Sequence, residues 1–201
     1  MKKFKIFFDI EKEEKWLNSM LQEGWECNRI NTLGFYTFKK NSDTEKIIRL
    51  DFQKKLNKKA RENYILMHEE FGWYAINPTS INGTYYWLKP RDGHDELFSD
   101  NHSHIAKYKR LMKSIGFSAM MSLAFLFILY TSYDYPLFYD VKGAYLTPGL
   151  WDKEGTSFVF AFLFETPFAL MRFLIPWLFI FMSLFYGLTY LRYRKALQQL
   201  S

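Results

Sequence analysis

Three groups of residues in this chain have types and spacings that could do chemistry. His94, His102 and His104 lie close together beside Asp95 and Asp100, and imidazoles with carboxylates can ligate a divalent cation. A structural site needs four well-placed ligands, whereas this stretch is polar and turn-rich, so no metal and no cofactor are expected. Glu165 and Arg172 stand seven residues apart, two helical turns, and so share one face of a helix in an otherwise apolar region. Charges there are costly and are commonly paired or functional. This membrane polar pair either keeps its heads in the outer headgroup layer or lies deeper, paired or lining a polar path. The third group is aromatic. Trp25, Phe35, Tyr36, Trp73, Tyr85 and Trp87 are the candidate ligand- or partner-binding residues in a chain that is 20% aromatic. Strand alternation sends some such rings into a core and leaves others to line a groove. Glu26, Glu45 and Asp51 are available as countercharges. Phosphate-cradling glycine loops, GxSxG, HExxH and paired cysteines are missing from the sequence, so the chain is not read as an enzyme.

The elements that must position these residues follow from periodicity. A strand over residues 4–10 ends near Asp9, which can cap a helix in which Trp16, Leu17, Met20 and Leu21 recur at helical intervals. Gly24 ends that helix, and residues 25–32 and 35–40 form two strands turning at Leu33 and Gly34. Residues 41–43 are a polar turn. The plan then repeats. A strand over 46–52 precedes a helix over 56–71 with Ala60, Tyr64, Met67 and Phe71 on one side, and strands over 74–77 and 84–88 follow. Gly24-Trp25 and Gly72-Trp73 lie 48 apart, and GFYTFKK from Gly34 matches GTYYWLKP from Gly83 at an offset of 49. The fold class is α+β: an N-terminal antiparallel sheet with two helices, as a duplicated β-α-β-β unit, followed by two transmembrane helices. Chance likeness between two amphipathic units is the alternative. A duplicated unit of this kind also resembles the effector-binding fold of certain drug-responsive regulators, whose concave sheet holds hydrophobic cations among aromatics and acids.

Composition changes sharply after that domain. Residues 114–133 contain no charge and, at about 1.5 Å per helical residue, span a hydrocarbon layer of roughly 30 Å. A second uncharged run covers 173–191. The expected organisation is 1–90 as the α+β domain and 91–113 as a polar linker with a basic juxtamembrane helix. The first span follows at 114–133, then an outer loop at 134–155. Residues 156–171 are expected as an interfacial or re-entrant helix, 172–191 as the second span and 192–201 as a basic tail. One long helix kinked at its prolines is the rival for the last apolar region. Residues 1–104 carry 17 Lys/Arg against 16 Asp/Glu, so most of the net charge of +6 lies beside the spans. Lys107, Lys109, Arg110 and Lys113 precede the first, and Arg192, Arg194 and Lys195 follow the last. Both termini are therefore expected in the cytoplasm of a multi-pass plasma-membrane protein. Basic residues that flank spans form no stripe for nucleic acid, and direct nucleic-acid binding is not expected. Cys27 stands alone, so no intrachain disulfide forms.

The pattern FDIEKEEKWLNSMLQEGWECNRINTLGFYTFKK followed by IIRLDF resembles an uncharacterised bacterial domain family. The resemblance rests on Glu13, Glu14, Trp16, Leu17, Asn18, Met20, Gly24, Trp25, Gly34, Phe35, Tyr36, Phe38, Arg49, Leu50 and Asp51. It covers roughly the first hundred residues, and its core is Trp-Leu-Asn followed by Gly-Trp. Members of such a family often carry C-terminal spans and are often encoded beside PadR-type transcriptional regulators. The resemblance implies a regulatory role; it supplies no reaction and no site. The expected function is a membrane-anchored regulatory or sensing protein, held by the lipid bilayer, whose cytoplasmic domain binds a protein partner or a small amphipathic ligand. A small membrane component of transport or peptide immunity, working through Glu165, Pro167, Arg172 and Pro176, is the alternative.

Overall fold

A computed structural model describes residues 1–41, 45–53, 56–132 and 138–200. The turn expected at 41–43, the last residue of the expected first span and the start of the outer loop fall wholly or partly outside them. The chain is α+β, with the order β1 (Lys2–Phe4), α1 (Ile10–Gln22), β2 (Trp25–Ile30), β3 (Phe35–Lys40), β4 (Lys46–Phe52), α2 (Lys58–Glu70), β5 (Tyr74–Ala75), β6 (Thr84–Pro90), α3 (Asn101–Ser132) and α4 (Gly155–Leu200). It divides into two compact units, Met1–Lys113 with Leu191–Ser201, and Ser114–Tyr190.

In the first unit the strands form two three-stranded antiparallel sheets, ordered β1-β3-β2 and β4-β6-β5, rather than one sheet. The two halves therefore share one topology, and their punctuation repeats with it. Asp9 caps α1 by accepting from the Glu11 N–H, and Asn57 caps α2 by accepting from the Ala60 N–H. Gly24 and Gly72, both at positive φ, close the two helices. The Lys5 N–H donates to the Gly34 carbonyl at 2.9 Å, and the Gln53 N–H to the Gly83 carbonyl at 2.9 Å, so each half ties its first strand to its hairpin turn at the same place.

Two asparagines sew the halves together. Asn18 on α1 donates to the Ile48 carbonyl at 2.8 Å and accepts from the Ile48 N–H at 2.9 Å. Asn77, just past β5, does the same for Ile30, at 2.8 and 3.2 Å. Each satisfies backbone groups on an edge strand of the opposite half, groups that would otherwise be left unpaired. Glu14 adds a third tie by accepting from the Leu50 N–H at 2.8 Å.

Several expected boundaries change. The first strand covers Lys2–Phe4 rather than 4–10, because only these residues pair with β3, opposite Phe35–Thr37. In α2 the buried side is set by Tyr64, Ile65 and His68, which face the cluster of Ile47, Trp73, Tyr85 and Trp87. Met67 and Phe71, expected on that side, are 44% and 67% exposed, while His68 is 3% exposed. The basic helix expected to lead into the first span begins earlier in the linker, at Asn101, and is continuous with it as α3.

The second unit consists of the remainder of α3 and α4 with their connecting segment. Residues 156–171 are not a separate interfacial helix. They belong to the single 46-residue helix α4, which carries Pro167 and Pro176 inside it. Ser122 and Ser183 hydrogen-bond at 2.7 Å, and Phe125 stacks on Phe179, so the two helices pack directly. Both are long and apolar enough to cross a membrane, and large side chains such as Phe127, Phe160 and Leu163 stand exposed on them.

Candidate functional site

The residues with most chemical interest lie on α1. Its first turn is acidic, as the helix dipole favours, but the acids point different ways. Asp9 accepts from Tyr193 and pairs with Arg192; Glu11 accepts from Tyr108; Glu14 pairs with Arg49 at 3.1 Å. Glu13 turns inward and is 7% exposed. Its Oε1 accepts from the Tyr36 hydroxyl at 2.6 Å and from the Tyr86 hydroxyl at 2.7 Å. Tyr36 comes from β3 of the first half and Tyr86 from β6 of the second, so the carboxyl joins both halves.

Strand alternation explains why Tyr86 is there. On β6, Tyr85 and Trp87 turn toward α2 and its core, and Tyr86 between them must point to the other face. That face opens on a cavity of about 360 Å³ lined by Glu13, Ile30, Tyr36, Ile81, Thr84 and Tyr86. Lys5 and Phe7 line it too, with the Lys5 ammonium 4.9 Å from the Phe7 ring centre and 4.8 Å from that of Trp16.

Glu13 differs from the other buried acids of the described residues. Asp9 pairs with Arg192, Glu26 with Lys39 and Lys46, Asp51 with Arg110, and Glu165 with Arg172. Among the described residues Glu13 makes no ion pair, and the Lys5 ammonium in the same cavity lies over the Phe7 and Trp16 rings instead. Burial therefore pushes its carboxyl above the ordinary range, and the two tyrosine hydroxyls only partly offset this. For Glu26 burial would also raise the value, but Lys39, Lys46 and Asn41 outweigh it and hold the carboxyl low. The hydroxyls of Tyr36 and Tyr86 are pushed up by burial and by the Glu13 charge, so both remain proton donors to it. Cys27 is buried nearby, and burial lifts its thiol to about 12, which leaves no thiolate for redox or nucleophilic chemistry at neutral pH.

The six aromatic residues singled out by sequence do not form one site. Trp73, Tyr85 and Trp87 are 2%, 3% and 0% exposed and make the core under α2. Tyr36 lines the cavity, Phe35 lies on the surface against Phe4, and Trp25 is half-buried on β2. Of the suggested countercharges, Glu26 is taken by lysines and Asp51 by Arg110, Tyr64 and Gln53. Glu45 makes further contacts of its own. In the histidine cluster, His104 Nε2 lies 3.1 Å from the Phe98 carbonyl. Among the described residues no three potential ligands gather around a metal position.

Glu165 and Arg172 do pair, at 2.7 Å, within the second unit. Both also hold the connecting segment: Glu165 accepts from the Leu146 N–H at 3.1 Å and from the Thr147 hydroxyl, and Arg172 donates to the Ala144 carbonyl at 2.8 Å. Their polar capacity thus goes into the segment's backbone.

A family model described as Protein of unknown function (DUF2812) matches residues 9–120, from the α1 cap into α3. No curated protein and no solved structure matches the chain.

Proposed function

This chain belongs to the DUF2812 family of proteins of unknown function, and on that footing we propose that it is a membrane-anchored sensor whose two-sheet domain admits a small cationic amphipath to Glu13. One observation carries the reading: among the described residues Glu13 is the buried acid without an ion pair, and it stands in the wall of a cavity. Uncompensated carboxylates are expensive, and they are commonly kept where a ligand supplies the missing charge. Ile30, Ile81 and the faces of Tyr36 and Tyr86 offer an apolar lining for the body of such a ligand.

The anchoring helices α3 and α4 cross the bilayer in this reading, with the Lys- and Arg-rich approaches placing both termini in the cytoplasm. Sensing is supported by the layout of α1. The helix that carries Glu13 is capped by Asp9 and also carries Glu11, and these bind Arg192 and Tyr193 toward the end of α4 and Tyr108 near the start of α3. A ligand that shifts α1 acts on both helix ends through one rigid element.

Tetraphenylphosphonium is a suitable probe. Equilibrium dialysis against the full chain in detergent should show saturable uptake that falls at least about tenfold in Glu13→Gln, the loss of one buried charge partner. Equal uptake by the two proteins, or none by either, contradicts the reading.

A further inference from the structure

We infer a second ligand site, separate from the Glu13 cavity, between the end of α2 and residues 92–103: a pocket for an aromatic organic cation. The argument starts with α2, which buries a histidine and leaves two large apolar side chains outside. Met67 and Phe71 are exposed, and with Trp73, Leu97 and Phe98 they wall a cavity of about 670 Å³. A helix that turns Met67 and Phe71 away from its own core leaves apolar surface whose burial needs another molecule.

His68 lies in the same wall. It is 3% exposed, its ring packs 4.4 Å from that of Trp87, and its Nε2 is buried without a hydrogen-bond partner among the described residues. Burial keeps this imidazole neutral, so it can offer a hydrogen bond and brings no positive charge to repel a cation. An unpaired buried nitrogen is costly, and a ligand atom that meets it recovers the loss.

The rim fixes the sign of the ligand. Glu70, Asp92, Glu96 and Asp100 all line the pocket; Asp92 pairs with Lys89 and Glu96 with Arg49, which leaves Glu70 and Asp100 as acids without an ion pair among the described residues. The one lysine there, Lys89, is already held by Asp92 at 2.7 Å and lies 5.5 Å from the centre of the Trp73 ring. Glu70 has no ion pair among the described residues. An aromatic cation would stack on the exposed Phe71 ring and place its charge toward Glu70, combining ring contact with charge complementarity. None of this depends on ligand binding at Glu13.

The test is a titration of the full chain in neutral-lipid nanodiscs with rhodamine 6G, a cationic aromatic dye, read by fluorescence anisotropy after subtraction of empty discs. Fluorescein, an anionic dye of the same ring system, is the control. Rhodamine 6G should saturate a site that fluorescein does not occupy, and Phe71→Ser and Glu70→Gln should each weaken it by about tenfold. Both residues are exposed, so these variants keep their fold. Glu13→Gln should leave unchanged the component of binding that Phe71→Ser and Glu70→Gln weaken. Absence of saturable binding, equal binding of the two dyes, or loss in Glu13→Gln with full binding in the two α2 variants each overturns the proposal.

Discussion

A carboxylate removed from water with no cation beside it destabilises a fold unless hydrogen bonds or a proton relieve it. Glu13 has two tyrosine hydroxyls and a raised pKa, so between the unfolded and folded values the folded chain holds a proton that the unfolded chain has lost. Stability contributed this way is present in acid and falls as pH rises from about 4.3 through the folded value. Glu13→Gln removes that slope. Its melting temperature should exceed that of the wild type at neutral pH, and the difference should vanish toward pH 4, as circular dichroism of the two proteins across pH will show. A merely structural Glu13 would give the opposite sign. Sequence placed Glu13 within a recognisable motif but gave it no role of its own. The missing signal was the direction of each side chain. Tyr86 was hidden for a related reason, since only knowledge of which sheet face α2 covers separates it from Tyr85 and Trp87.

At the level of elements, the tie between the two halves rests on side chains that act as backbone. Asn18→Ala and Asn77→Ala each strip an edge-strand N–H and C=O of their partners, and each should lower unfolding free energy by about 2 kcal/mol. The hairpin glycines should differ from one another. A Cβ at Gly34 would meet the Lys5 carbonyl oxygen at 2.6 Å, whereas at Gly83 the 2.6 Å contact is with the Phe52 ring, which can rotate. Both positions have positive φ, so Gly34→Ala and Gly83→Ala each cost about 1–2 kcal/mol in backbone strain. Thermal unfolding should then rank Gly34→Ala as the more damaging. These turns were legible because the Gly-Trp pairs and the GFYTFKK and GTYYWLKP segments repeat at 48 and 49 residues, and the bounds of β3 and β4 match the expected 35–40 and 46–52. The buried side of α2 was not. Hydropathy favours Met67 and Phe71, but aromatic packing on Trp87 selects His68. The role of Asn18 was equally hidden, because an asparagine on a helix reads as solvent-facing until an edge strand lies beside it.

For the whole molecule, the domain is discontinuous in sequence, and a composition boundary at the first span cannot reveal that. Lys107 and Arg110 donate to the Leu50 and Phe52 carbonyls at 2.6 and 2.7 Å, Arg110 pairs with the fully buried Asp51, and Arg192 pairs with Asp9. Some of the charges read from sequence as flanking the spans are therefore holding the domain. A fragment ending at residue 104 strands Asp51 and Asp9 and should lose about 3–5 kcal/mol. The Tyr108 and Tyr193 rings lie 5.8 Å apart, so replacing residues 114–190 with a flexible linker of about ten residues should give a soluble domain with a cooperative melt. Membrane topology is read by labelling with an impermeant maleimide: Lys153→Cys should react in intact cells and Lys59→Cys only after permeabilisation. The most direct test of the sensor reading is the thermal shift of the full chain with saturating tetraphenylphosphonium. The wild type should melt at a higher temperature with the probe, as ligation to the folded state requires, while Glu13→Gln should start higher and not move. A Glu13→Gln protein that starts lower than the wild type and rises by the same amount with the probe would contradict the account.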